Sequence, residues 1–157
     1  MSIIGIAAVS KDGYISKNNS IPWDFPVDKK QWTHMVRDSP VIMGRKTFEQ
    51  VPVRLTSDHI YVLSRTESYP DKSYATACRS KEDVLEHISM REQTVYVLGG
   101  GAIYELFYED MDTLILTEVD KTVDGDARFP MRYTQDFTPH VRITFANRPF
   151  EIVYYNR

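Results

Sequence analysis

Cysteine is nearly absent from this sequence, and its scarcity limits both covalent cross-links and metal sites. Cys78 is the single cysteine, so an internal disulfide is impossible and a reducing compartment suits the chain. The four histidines are scattered, and none pairs with Cys78 at the spacing of a ligand motif. We therefore expect no metal site.

Long apolar runs and an excess of positive charge are also missing. No segment approaches membrane-spanning length, and the apolar start, MSIIGIAAVS, lacks a basic leader and is typical of a strand. The formal net charge of −3 argues against general nucleic-acid binding but leaves room for a local basic pocket that holds a small anion. We expect a cytoplasmic protein with a small-molecule partner and no membrane or nucleic-acid partner.

The composition is ordinary for one globular domain. Hydrophobic residues make up 42% of the 157 residues and charged residues 26%, and a chain of this length buries a core without cross-links. No internal repeat, low-complexity run or linker interrupts the chain. We expect a single domain over residues 1–157 that behaves as a monomer.

Apolar segments of strand length alternate with segments of helical spacing. The predicted strands are IIGIAAVS, PVIMG, HIYVLSR, TVYVL and DTLILTEVD, and VRITFANRPFEIVYYN predicts a hairpin. The predicted helices are PVDKKQWTHMVRD, RKTFEQV, RSKEDVLEHISMRE with Ser80 as N-cap, and GGGAIYELFYEDM, while KDGYISKNNSIPW predicts a long loop. This alternation favours an α/β sheet, mostly parallel with an antiparallel edge, whose ligands bind beyond the carboxyl ends of the strands.

Small or basic residues stand where three predicted strands end. GRKT occupies 44–47, SR occupies 64–65, and GGG occupies 99–101. Each signal alone is weak, because a glycine after a strand is usually a turn and exposed cations are usually solvated. Three successive glycines cost chain entropy, but Tyr104 takes the third glycine position of GxGxxG, which disfavours a standard Rossmann site. Together the three signals predict a phosphate-rich cofactor.

Two acids, Asp24 and Asp28, lie among apolar residues in SIPWDFPVDKKQW, residues 20–32. Acids normally avoid such surroundings. Asp28 is either an acid that takes part in chemistry or a first-turn acid that complements a helix dipole, and the residues alone leave these alternatives equal.

Several segments together resemble the dihydrofolate reductase family. IAAVS, IPWDFPVDKKQW, PVIMGRKTFE, VLSR, VYVLGGGAIYE, LTEVD and DGDARFP occur in the family's order and near its spacing, up to about Pro130. The resemblance implies a central, mostly parallel eight-stranded sheet with a C-terminal antiparallel hairpin, flanked by helices. It also implies NADPH-dependent reduction of 7,8-dihydrofolate to tetrahydrofolate, by hydride transfer to the pterin C=N bond with a proton from water, in support of one-carbon and thymidylate metabolism.

In the pterin pocket, the resemblance implies that Asp28, Trp23 and Thr117 are catalytic. Asp28 would accept hydrogen bonds from the pterin amino group and ring N–H, Thr117 would fix the geometry of Asp28, and Trp23 would lie near the water. The implied substrate-binding residues are Ile6, Ala8, Asp28, Lys29, Trp32, Val51, Arg54, Leu55, Leu98 and Thr117.

For the cofactor, the resemblance implies a phosphate-binding turn at 44–47 and a cis bond between Gly99 and Gly100. Ser64 and Arg65 would select the 2′-phosphate of NADPH over NADH. The implied cofactor-binding residues are Ala8, Ile15, Asn19, Ile21, Gly44, Arg45, Lys46, Thr47, Leu63, Ser64, Arg65, Leu98, Gly99, Gly100, Gly101, Ala102, Ile103 and Tyr104.

One position departs from the family. Asp58 stands where the family usually carries an arginine that pairs with the glutamate tail of folate, and an acid repels that tail. Arg54 or Lys29 would have to replace the arginine. Two further hypotheses therefore stay open: a reductase of a tail-less dihydropterin or of a riboflavin-pathway pyrimidine, and a non-catalytic nucleotide-binding domain.

Overall fold

A computed structural model of the chain describes residues 2–16, 34–50, 59–65, 74–88 and 93–157. The strands found there are β1 Ser2–Ser10, β2 Tyr14–Ser16, β3 Val41–Gly44, β4 Ile60–Leu63, β5 Ala75–Cys78, β6 Thr94–Val97, β7 Thr113–Val119, β8 Ala127–Arg128, β9 Thr138–Thr144 and β10 Phe150–Asn156. The α-helices are α1 Arg45–Gln50, α2 Lys81–Ile88, α3 Gly101–Phe107 and α4 Tyr133–Asp136, and a 3₁₀ turn, Tyr108–Asp110, follows α3.

Eight strands form one sheet in the order β5-β4-β3-β6-β1-β7-β10-β9. The pairs from β5 through to β7 are parallel, whereas β10 pairs antiparallel with β7 and with β9. The predicted mostly parallel sheet with an antiparallel C-terminal hairpin is therefore confirmed. The strands β2 and β8 form a separate antiparallel ribbon.

The strand β1 lies inside the sheet, between β6 and β7. Side chains of a strand alternate between its faces, and β1 buries Ile3 and Val9 in one apolar layer and Ile6 in the other. A Cβ added to Gly5 would lie 2.5 Å from Sδ of Met111, so glycine permits close packing there. The continuous apolar run of β1 is explained by burial on both faces, as predicted.

Two apolar layers cover the sheet, one on each face. The first packs Val84 and Ile88 of α2 and Phe107 of α3 against it, and all three are fully buried. The second layer includes the fully buried Val36 and Met43. Within the described segments, no helix has the length and apolar character needed to cross a membrane.

Most predicted elements lie where the sequence places them, but β2, β5, β8 and α4 were not predicted. The segment of β2 was assigned to a long loop; instead, Tyr14 pairs with Arg128 of β8. The strand β5 is short and has the sequence ATAC, so its extended form depends on pairing with β4 rather than on local propensity. The helix predicted from Pro26 lies mostly outside the described residues, although His34 and Met35 are helical.

Candidate active site

The carboxyl ends of the parallel strands meet at one edge of the sheet, and the predicted strand-end segments lie there. Gly44 ends β3, Ser64 and Arg65 follow β4, and Leu98 with the glycine run follows β6. Thr117 lies near the same end of β7. In a parallel α/β sheet this edge is where ligands bind, so the predicted residues lie together at a candidate ligand site.

The ends of β3 and β6 are joined by backbone hydrogen bonds. The Gly44 N–H donates to the Gly99 carbonyl at 2.8 Å, and the Leu98 N–H donates to the Ile42 carbonyl at 2.9 Å. A Cβ added to Gly44 would lie 3.0 Å from Cγ1 of Ile103, the third residue of α3. Glycine at position 44 therefore lets the side chain of Ile103 close against the end of β3.

Gly99 and Gly100 differ in what their backbones require. Their peptide bond is cis, as the resemblance implied. Gly99 has a φ of +108°, and its added Cβ would lie 3.0 Å from the Tyr104 ring. Gly100 has a φ of −79°, and its added Cβ would meet Oγ1 of Thr47 at an ordinary contact distance of 3.6 Å. Position 99 thus needs glycine for conformation, whereas Gly100 keeps a narrow space open beside Thr47.

Tyr104 connects this glycine turn to the middle of the sheet. Its side chain is buried, and its hydroxyl donates to the Ile6 carbonyl of β1 at 2.5 Å. Its backbone N–H donates to the Gly100 carbonyl at 3.0 Å, and its ring packs against Phe129 with centroids 4.9 Å apart. The turn after β6 and the strand β1 are therefore held in a fixed relation.

The end of β4 combines a buried hydroxyl with an exposed cation. Ser64 is buried, its N–H donates to the Cys78 carbonyl at 2.9 Å, and Arg65 is exposed. Burial raises the pKa of the Cys78 thiol to about 12, so this neighbour is uncharged. Arg45 of α1 is also exposed and pairs with Glu49 at 2.9 Å. A hydroxyl followed in sequence by a guanidinium group suits a phosphate monoester.

The ends of β1 and β7 present a mainly apolar surface that includes the hydroxyl of Thr117. In the parallel register Ala8 lies opposite Thr117, and Ile6 lies opposite Ile115. Ile6, Ile115 and Thr117 are buried, and Leu98 of the neighbouring strand end packs against the same apolar layer. This surface suits a flat ring that needs one oriented polar group.

A polar turn after β1 is a feature that sequence analysis missed. The Ser10 hydroxyl donates to Oδ1 of Asp12 at 2.5 Å, and the same oxygen accepts the Val123 N–H at 3.2 Å. The Ser10 hydrogen bond is the main cause that lowers the pKa of Asp12. The turn joins β1 to the segment after β7 and precedes Ile15, whose Cδ1 would lie 3.6 Å from a Cβ on Gly101. The signal was the short SKDG segment, in which Ser10 was assigned to the first strand and KDG to the loop.

The comparisons with known proteins agree on one family. The family model described as dihydrofolate reductase matches residues 2–157. A protein of Haloferax volcanii, dihydrofolate reductase HdrB, is 33% identical over 135 residues, which cover 80% of this chain and 69% of that protein. A dihydrofolate reductase of Neisseria meningitidis serogroup A is 37% identical over 131 residues, covering 83% and 80%.

The chain belongs to the dihydrofolate reductase family. An Escherichia coli relative, dihydrofolate reductase type 1, is 27% identical over 152 residues, covering 92% of this chain and 96% of that protein. The family match confirms the resemblance and extends it past Pro130, where the sequence segments had become weak. Dihydrofolate reductase homologues are oxidoreductases that act on a small molecule, and this identifies the class of the present chain.

Part of the predicted dihydrofolate reductase site lies outside the residues that the structure describes. The predicted residues outside the described segments are Asn19, Ile21, Trp23, Asp28, Lys29, Trp32, Val51, Arg54 and Leu55, together with the departing Asp58. Their roles remain predictions. Phe129 lies within DGDARFP, but we gave it no role from the sequence. Its ring contacts Tyr104, which is distant in sequence, so this contact was not predictable from local patterns.

Adjacent glycines provide a matched test of this geometry. Gly99→Ala should lower the free energy of unfolding by about 1–3 kcal/mol, because alanine strongly disfavours the positive φ and its Cβ meets the Tyr104 ring. Gly100→Ala should change it by less than about 1 kcal/mol, because φ is negative and the Cβ has room. Urea unfolding of both variants measures the difference. Equal losses would contradict the packing described here.

Proposed function

We propose that this chain is an NADPH-dependent dihydrofolate reductase that converts 7,8-dihydrofolate to 5,6,7,8-tetrahydrofolate. The observation that carries the proposal is the register of Thr117 beside Ala8 on the apolar half of the edge, in a chain that belongs to this family. We further propose a monomer with a single domain over residues 1–157, acting in the cytoplasm in one-carbon and thymidylate metabolism.

Residues on the other half of the edge fit an NADPH molecule. The space between Gly100 and Thr47, which an added Cβ would fill, allows close approach of a phosphate to backbone and hydroxyl groups. Lys46 and Arg65 are exposed and make no ion pair with another described residue. Ser64 and Arg65 would hold the 2′-phosphate, while Ala8, Ile15 and Leu98 would border the nicotinamide. When bound, NADPH supplies the hydride.

The protein's own contribution to the reaction is orientation and control of charge. We propose that Asp28 accepts hydrogen bonds from the pterin amino group and ring N–H, and that the Thr117 hydroxyl fixes the Asp28 carboxylate. The burial of Ile6, Ile115 and Thr117 supports this. An apolar surface that excludes water strengthens the electrostatic effect of a nearby charged group. A water near Trp23 would deliver the proton to the ring nitrogen.

Asp58 favours a second candidate substrate. A reductase of a dihydropterin without a glutamate tail would have no need of an arginine at this position. Dihydrofolate and a tail-less dihydropterin therefore need to be compared directly. An equal kcat/KM for the two would favour the tail-less substrate class.

The direct test is oxidation of NADPH by the purified chain with and without dihydrofolate. We expect turnover that requires dihydrofolate. We also expect a strong preference for NADPH over NADH. The Asp28→Asn variant should lose most of its activity at neutral pH and still bind NADPH. Reduction of another pterin alone would contradict the substrate, and full activity in Asp28→Asn would contradict the role of Asp28. Equal rates with NADH would contradict the role of Ser64 and Arg65.

Two threonines on one face of β7 provide a matched test of the hydroxyl near the substrate. Thr117→Val keeps the side-chain shape but removes the hydroxyl, and a hydrogen bond to a charged group is worth about 1.5–3 kcal/mol. We expect kcat/KM for dihydrofolate to fall about tenfold to a hundredfold. The control is Thr113→Val, since Thr113 lies at the other end of β7 and bonds to Asn156 at 3.4 Å. Equal effects of the two substitutions would contradict a specific role for Thr117.

A further inference from the structure

Three metal-ligating side chains come together at the end of β5 and on α2, next to the end of β4. Sγ of Cys78, a carboxylate oxygen of Asp83 and a ring nitrogen of His87 all lie within 4.8 Å of one another. The three residues are spaced C-x4-D-x3-H along the chain. Within the described part of the chain, they form the one such group of three histidine, cysteine or acidic residues.

The local fold explains why these side chains meet. Cys78 is the last residue of β5, and Asp83 and His87 lie four residues apart on α2, so both project from one helix face. The helix begins next to the strand end because Ser80 caps it, with Oγ of Ser80 accepting the Asp83 N–H at 3.0 Å. This confirms the predicted N-cap and places the two α2 side chains beside the thiol.

Outer hydrogen bonds orient two of the three groups. The Arg79 N–H donates to Oδ2 of Asp83 at 3.3 Å, and Nδ1 of His87 lies 2.8 Å from the Asp83 carbonyl oxygen. The same Nδ1 lies 3.5 Å from Oδ1 of Asp83. A carbonyl only accepts, so Nδ1 donates in the contact with it, and Nε2 is the ring nitrogen through which a metal would bind. Histidines that bind metals commonly donate the second ring N–H to such an acceptor, which fixes the ring.

Burial and charge also favour a cation at this position. The side chains of Asp83 and His87 are 37% and 43% exposed, whereas Cys78 is fully buried. Two of the three groups therefore face solvent, and the thiol is the inner member of the group. A divalent ion bound by one thiolate, one carboxylate and one neutral imidazole gives a site without net charge. An Asp–His pair one turn apart is common on helices, and a buried thiol is common in cores, but together they supply three ligand types.

We propose that Cys78, Asp83 and His87 bind Zn²⁺, with a water molecule as the fourth ligand. A mixed sulfur, nitrogen and oxygen set in tetrahedral geometry is the chemistry that zinc prefers. Binding would release the thiol proton of Cys78 to solvent, because the thiolate is the ligand. This proposal departs from our expectation of no metal site, which compared cysteine with histidine spacing and did not consider Asp83.

The test uses cobalt as a spectroscopic substitute for zinc in the full, untagged chain. Because Cys78 is the single cysteine, a thiolate-to-Co²⁺ charge-transfer band can arise only from this residue. We expect one equivalent of Co²⁺ to give the band and one equivalent of Zn²⁺ to abolish it. Absence of the band together with absence of stoichiometric Zn²⁺ binding by calorimetry would overturn the proposal.

Variants assign the remaining ligands. His87→Ala and Asp83→Asn should each weaken Zn²⁺ binding about tenfold or more. The matched control is His140→Ala, because His140 is exposed on β9, at the opposite edge of the sheet. Zn²⁺ affinity that is unchanged in His87→Ala, or equally reduced in His140→Ala, would overturn the site. These surface variants remain informative if Cys78→Ser, which alters a buried residue, fails to fold.

Discussion

The close approach of the ends of β3 and β6 is the constraint on which the candidate site depends. The hydrogen bond from Gly44 to Gly99 joins the two strand ends, and neither glycine has free space for a Cβ. Tyr104 extends this junction to β1 through its bond to the Ile6 carbonyl. These hydrogen bonds hold three segments in fixed relative positions: the turn after β6, the start of α1 and the middle of the sheet.

The sheet edge divides into two chemically different halves. Around β3, β4 and β6 the chain offers glycine turns, a buried serine and exposed cations, which suit an extended anionic ligand. Around β1 and β7 it offers Ile6, Ala8 and Ile115 with the hydroxyl of Thr117, which suits a flat ring. The two halves meet at β1, so ligands on the two sides would lie side by side. That arrangement is what a transfer between a cofactor and a substrate requires.

Much of the fold follows from local patterns, and the exceptions share a physical cause. Continuous apolar runs indicated β1 and β7 because both are buried on two faces, and the serine before α2 indicated its start. The strands β5 and β8 escaped prediction because they are short and depend on partners distant in sequence. The strand-end segments of the candidate site were predicted because ligand binding at carboxyl ends is a general property of parallel sheets. The contact of Phe129 with Tyr104, and the approach of Asp83 and His87 to Cys78, required the tertiary structure.

We propose that one edge of the sheet holds the cofactor on its β3–β4–β6 half and the substrate on its β1–β7 half. Amide NMR spectra of the chain, titrated first with NADP⁺ and then with folate, test this claim most directly. We expect the largest NADP⁺ shifts at Gly44, Ser64 and Gly100, and further folate shifts at Ala8 and Thr117, with the amides of β9 unmoved. Shifts concentrated in β9, or no shifts at the ends of β3, β4 and β6, would contradict the claim.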